Sequence, residues 1–174
     1  INSKGEFIEE VFRASQNAYK IGVKVLCVHT DSDARSDKNV IEHKINPAFE
    51  NIENSESENL CKNLVAVIPI QMTEAWMLAD TDVLKNEIDT DLTDKDLKIH
   101  RNPENYADPK ETIKEAIRIT RINLPQRRRY EFGISEIYQI IGQKADLNKL
   151  SNLRSYRKFK AGVRDAYKKL GFLH

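Results

Sequence analysis

Between residues 5 and 20 the apolar side chains Phe7, Ile8, Val11, Phe12, Ala14, Ala18 and Tyr19 recur at intervals of three and four among polar neighbours. That spacing predicts an amphipathic helix packed on a sheet, ended by Gly22. Residues 23–30 form a near-continuous apolar run, the pattern of a parallel strand buried on both faces. The run stops at Asp31-Ser32-Asp33. Residues 36–51 are helical in pattern with a break near Pro47, and residues 52–63 read as a polar loop. A second strand is predicted over residues 64–70, LVAVIPI. Its proline, which lacks an N–H, places it near a sheet edge or marks the strand's last turn. Strand, helix and strand at this spacing make a right-handed parallel crossover, so both carboxyl ends lie on one edge of the sheet.

A helix start is read at Thr73–Asp80, and residues 89–107 are polar and irregular. Asp108-Pro109-Lys110-Glu111 then supplies a cap, a first-turn proline and an acidic third position, predicting a helix to about Ile122. Further helices are predicted over 134–141, closing on Gly142, and 153–170, closing on Gly171. Tyr130, Ile137, Ile140, Leu150, Tyr156, Phe159 and Val163 are the expected core of this part. The expected architecture is α/β: a mainly parallel sheet with flanking helices in residues 1–100 and a helical extension over 101–174, together one domain.

Composition changes this picture mainly through charge. At 174 residues and 40% hydrophobic the chain has the size of one domain with an ordinary core. Its apolar runs are too short to span a bilayer and no signal core opens it, so no membrane association and a cytoplasmic location are expected. The first residue is Ile1, from which residues upstream are expected to be missing. Cys27 and Cys61 are expected to be reduced, and neither reads as a nucleophile. Residues 1–100 hold 11 Lys and Arg against 19 Asp and Glu, a net of −8, whereas residues 101–174 hold 17 against 8, a net of +9. An acidic half suits cations and a basic half a polyanion; equally, the two halves neutralise each other internally.

Three acidic residues are the candidate site. Asp31 and Asp33 follow the first strand, and the predicted crossover brings Glu74 toward them despite a separation of 41 residues from Asp33. Such a set suits Mg²⁺ or Mn²⁺, hard cations that prefer oxygen ligands and that polarise phosphoryl oxygens. The bland alternative is a solvated turn that caps the next helix. His29 shares a strand face with Asp31 and is a candidate acid, base or water-positioning group. Asp80 and Asp82 either support this site from outside it or form a solvated helix face. The run Arg127, Arg128, Arg129 beside Tyr130, together with Arg157 and Lys158 in the last helix, forms the candidate nucleic-acid surface, since guanidinium forks match phosphate oxygens.

The segments VLCVHTDSDAR, VIPIQMTEAWMLAD, NPENYADPKETIKEAI and SYRKFKAGVRDAYKKLGFL together resemble a TOPRIM-like family of uncharacterised bacterial and archaeal proteins, over residues 7–172. The resemblance implies a TOPRIM fold, shared with topoisomerases, primases and overcoming-lysogenisation-type nucleases. It implies magnesium-dependent action on phosphodiesters, a partner ATPase and a place in anti-phage defence. A homo-oligomer is also anticipated. In that superfamily a first-strand glutamate joins an aspartate pair; Asp31 and Asp33 match the pair, and the glutamate's strand is expected upstream of Ile1. Glu74, Trp76 and Asp80 match an EAWLLAD-like segment, but Gln71 and Met72 stand where many relatives carry a histidine and a glutamate. The resemblance leaves open a catalytically inactive TOPRIM-like adaptor. The residues also leave open, more distantly, an aspartyl-nucleophile phosphatase, for which Arg35 is out of pattern.

Overall fold

Two strands, β1 (Leu26–His29) and β2 (Leu64–Val67), pair in parallel with Leu26 opposite Leu64 and His29 opposite Val67. They lie in a computed structural model that describes residues 4–123, 125 and 133–173. The helices are α1 (Lys4–Lys20), α2 (Lys38–Val40), α3 (Asn46–Glu53), α4 (Glu74–Met77), α5 (Thr81–Glu87), α6 (Pro109–Thr120), α7 (Ile134–Lys144), α8 (Leu147–Leu150) and α9 (Arg154–Lys169). The protein is thus mixed α/β, mostly helical, with a small parallel sheet. None of its described helices is long and apolar enough to cross a membrane. The chain falls into two compact units, and their division does not follow the change of charge near residue 100. The first comprises residues 1–32, 36–68 and 158–174, and the second residues 33–35 and 69–157.

In the first unit one face of the sheet, Leu26, Val28, Leu64 and Ala66, packs on a cluster that includes Val11, Val40, Ala48 and Ile52 from the surrounding helices. On the other face Val65 is so close to α9 that a Cβ on Gly162 would sit 3.2 Å from Val65 Cγ1. Cys27 and His29, on that same face of β1, are exposed. The first strand is therefore covered on one side only, and both strands are shorter than the apolar runs that contain them. α9 covers the second face over β2, which leaves β1 alternating rather than buried throughout.

The break predicted near Pro47 takes a specific form. A π turn, Ile41–Ile45, joins α2 to α3, with the Asn46 N–H reaching the Ile41 carbonyl, and Pro47 falls in the first turn of α3. Proline cannot donate to the carbonyl four residues back and its ring crowds that carbonyl, and a wider turn just before it relieves both problems. Ser15, fully buried in α1, exchanges hydrogen bonds with Cys61: its hydroxyl donates to the Cys61 carbonyl at 3.0 Å, and the Cys61 N–H returns to the Ser15 carbonyl at 3.2 Å. The polar loop is thereby pinned to the helix it passes.

The second unit is built around Met77, Leu78, Leu84, Leu97, Ile113 and Ile137, with Tyr106 and Ile141 at the same core. Asp108 caps α6 as its sequence predicts, its carboxylate accepting the Glu111 N–H at 2.8 Å. α7 runs on through Gly142 to Lys144; Gly142 is exposed with no neighbour within reach of a Cβ, so nothing there obliges the helix to stop. α9 does end as predicted, with Gly171 at φ +73° and the Phe172 N–H bonded to the Tyr167 carbonyl. Of the expected core residues, Ile137, Leu150 and Tyr156 are buried, Ile140, Phe159 and Val163 are half-buried, and Tyr130 lies outside the described residues.

Candidate functional site

Strand alternation places His29 and Asp31 on one side of the chain, and the structure brings them together. His29 Nε2 stands 3.4 Å from Asp31 Oδ1, with the two side chains about half and one third exposed. Ser32, which follows, is buried. Cys27, two residues before His29, has its thiol pushed above the ordinary value by desolvation.

In the second unit Asp33 and Gln71 are locked to one another through the backbone. The Asp33 N–H donates to the Gln71 carbonyl at 2.9 Å, and the Gln71 N–H donates to the Ala34 carbonyl at 3.1 Å. Both residues are left-handed, with φ of +50° and +62°. Aspartate tolerates that region through local hydrogen bonding, whereas a buried glutamine there is unusual and strained. Each of these two residues comes four positions after the end of its strand, His29 or Val67. Residues held in such conformations cluster at functional sites, although Asp89 and Lys98 are left-handed here too, at φ of +52° and +61°.

Glu74, the first residue of α4, is buried. Its carboxylate accepts a short hydrogen bond from the Tyr138 hydroxyl of α7, and Lys110 Nζ of α6 lies 3.9 Å away. These partners hold the carboxylate inside its own unit. Among the described residues, no three of His, Cys, Asp and Glu stand close enough to hold a metal ion together. Of the candidate residues, His29 thus meets Asp31, while Asp33 bonds through its backbone to Gln71, which the sequence reading did not place in the site.

The neighbouring acidic residues are structural. Asp80, almost fully buried, caps α5 through the Val83 N–H and accepts from the Asp146 N–H at 3.0 Å and from Lys149 Nζ at 2.6 Å. Burial alone would raise its pKa, but the hydrogen bonds from Lys149 and the Asp146 and Val83 amides outweigh it and the net shift is downward. Lys149 also reaches Asp82 at 2.7 Å, and bonding to both carboxylates raises its own pKa. Trp76 Nε1 donates to Ser155 Oγ at 2.7 Å and the indole meets Tyr156 edge to face, with centroids 5.3 Å apart. Glu104 caps the start of α9, accepting from the N–H groups of Arg154 and Ser155.

The cationic candidates divide as well. Arg127, Arg128 and Arg129 lie outside the described residues. Arg157 donates to the carbonyls of Ser151 and Asn152, which complete the carboxyl end of α8. Lys158 forms an ion pair with the buried carboxylate of Asp37. Both side chains anticipated on nucleic acid therefore have internal work. Sequence reading missed Tyr138, Lys149 and Glu104, whose partners lie 50 to 69 residues away and leave no local pattern. The positive φ of Gln71 likewise had no glycine or asparagine to signal it. No protein-family model, curated protein or solved structure matches the chain.

Proposed function

We propose that this chain is a TOPRIM-like, metal-dependent effector that hydrolyses phosphodiesters of nucleic acid, working with a partner ATPase in anti-phage defence. The observation that supports the reading is the Asp33–Gln71 lock, which holds the backbone of Asp33 at the cost of two left-handed residues. Magnesium commonly takes only one or two carboxylates beside its own waters and substrate phosphates, and the sequence Asp31-Ser32-Asp33 offers that number. They would hold Mg²⁺ or Mn²⁺, which when bound polarises a phosphoryl oxygen and activates water. Glu74 is better read as a support of α4 than as a third ligand, because Tyr138 and Lys110 already hold it. His29, oriented by Asp31, is the group best placed to hold or pass on a proton.

A second reading, a catalytically inactive TOPRIM-like adaptor, is favoured by one specific observation. Glu74 and Asp80, the two carboxylates of the family-like segment, both serve internal contacts. Cleavage of single- and double-stranded DNA and RNA, with Mg²⁺ or Mn²⁺ and with chelator, separates the readings. The hydrolase reading expects metal-dependent cleavage that Asp31→Asn and Asp33→Asn abolish without lowering the melting temperature. Cleavage by Asp33→Asn at the parent rate, or nucleic-acid binding with no cleavage at all, sinks it in favour of the adaptor.

A further inference from the structure

Within the first unit, α9 has two faces of opposite character. Its inner side carries the buried Ala166 and the Gly162 backbone that fits against Val65. Its outer side exposes Lys160, Arg164 and Lys168, one every four residues over about 12 Å of helix. Arg157 and Lys158 are engaged internally, but among the described residues no carboxylate or other group holds these three. Tyr167, 41% exposed, borders the row one turn from Arg164, and its ring centroid is 6.0 Å from that of Phe172, itself 63% exposed. Like charges at four-residue spacing destabilise a helix unless an anion offsets them, so this row is complementary to a polyanion.

We propose that this face of α9 binds a single strand of nucleic acid, with Lys160, Arg164 and Lys168 on phosphates and the Tyr167–Phe172 pair stacked on an unpaired base. The inference rests on the nucleic-acid partner proposed above and adds where that partner is held. Cations spaced along a helix position a backbone without reading sequence, while an aromatic ring beside them favours unstacked bases. A membrane surface fits less well, since an interfacial helix inserts its apolar face, and that face of α9 is already used against β2.

The test is fluorescence anisotropy of the whole chain with labelled single-stranded and duplex oligonucleotides, in chelator and at several salt concentrations. Replacing Lys160, Arg164 and Lys168 together by alanine is expected to weaken single-strand binding about tenfold or more. The slope of log K against log salt should fall by roughly 0.7 for each lost contact. Exchanging Lys and Arg at the same three positions is expected to keep both affinity and slope, and a parent-like melting temperature of the alanine variant excludes loss of fold as the cause. Tyr167→Ala should weaken single-strand binding about fivefold or more while leaving the salt slope unchanged. If the triple variant binds as the parent does, this inference fails and the proposed function stands. If the parent binds no oligonucleotide at low salt, or binds anionic vesicles instead, both this inference and the nucleic-acid partner fail. Chelator keeps the outcome independent of whether the protein cleaves.

Discussion

The hydroxyl of Tyr138 donates a short hydrogen bond to the buried carboxylate of Glu74 across 64 residues of sequence, joining the first residue of α4 to the middle of α7. A buried carboxylate that loses a donor bears most of its desolvation penalty. Tyr138→Phe is therefore expected to destabilise the fold by about 1–3 kcal/mol. Lys110→Ala should lower it by less than about 1 kcal/mol, because that side chain is half exposed and 3.9 Å away. Urea unfolding of the two variants and of Glu74→Gln, singly and with Tyr138→Phe, measures the coupling. A neutral Tyr138→Phe would release Glu74 for a different role.

Asp80 gives a graded series. Removing Asp80 leaves Lys149 and the Val83 and Asp146 amides without their acceptor, and breaking a buried ion pair of this kind typically costs about 3–5 kcal/mol. Lys149→Ala leaves two amide donors on Asp80 and should cost about 1.5–3 kcal/mol. Asp82→Ala, at an exposed position, should change stability by less than about 1 kcal/mol. Denaturation midpoints in that order support the assignment of Asp80 as a structural hub; a larger loss from Asp82→Ala than from Lys149→Ala contradicts it.

Acid stability should carry the signature of Glu115. The hydrogen bonds from Arg118, with a smaller contribution from Lys98, overcome desolvation and lower its pKa from 4.5 to about 2. A carboxylate whose pKa is lowered by folding adds stability that is full above its unfolded value and is lost as pH falls through the folded one. The Glu115 contribution should therefore disappear between about pH 4.5 and about 2. Glu115→Gln is expected to flatten that part of the melting-temperature profile. An unchanged acid limb would show that solvent screens the pair on this exposed surface.

Local signals were legible and remote ones were not, and the division follows the range of the interaction. Asp108 and Pro109 announced the start of α6, and Gly171 the end of α9, because caps act within a few residues. Two apolar runs were enough to predict neighbouring parallel strands. Which face of β1 stays open depends on where α9 lies, and no periodicity within residues 23–30 records that. Lys158 looked like one more cation in a basic helix, yet its partner Asp37 is 121 residues away. At the candidate site the type and place of Glu74 are legible in the sequence, whereas Tyr138, which bonds to it from 64 residues away, has no recognisable motif.

Asp33 allows stability and function to be separated at one position. With φ at +50°, it occupies a region that costs an ordinary L-residue about 1–2 kcal/mol and glycine almost nothing. Its N–H, which any residue except proline retains, makes the bond to Gln71. Asp33→Gly should therefore keep the loop and leave stability unchanged or raised by up to about 1 kcal/mol, relief of strain being offset by the freer unfolded chain. Asp33→Val, branched at Cβ, should lower stability by about 1–2 kcal/mol. If the carboxylate serves a bound metal, both variants lose metal-dependent cleavage to the same extent although their melting temperatures move apart. Cleavage that instead follows stability, retained in Asp33→Gly and reduced in Asp33→Val, would make the backbone turn rather than the carboxylate the contribution of this residue.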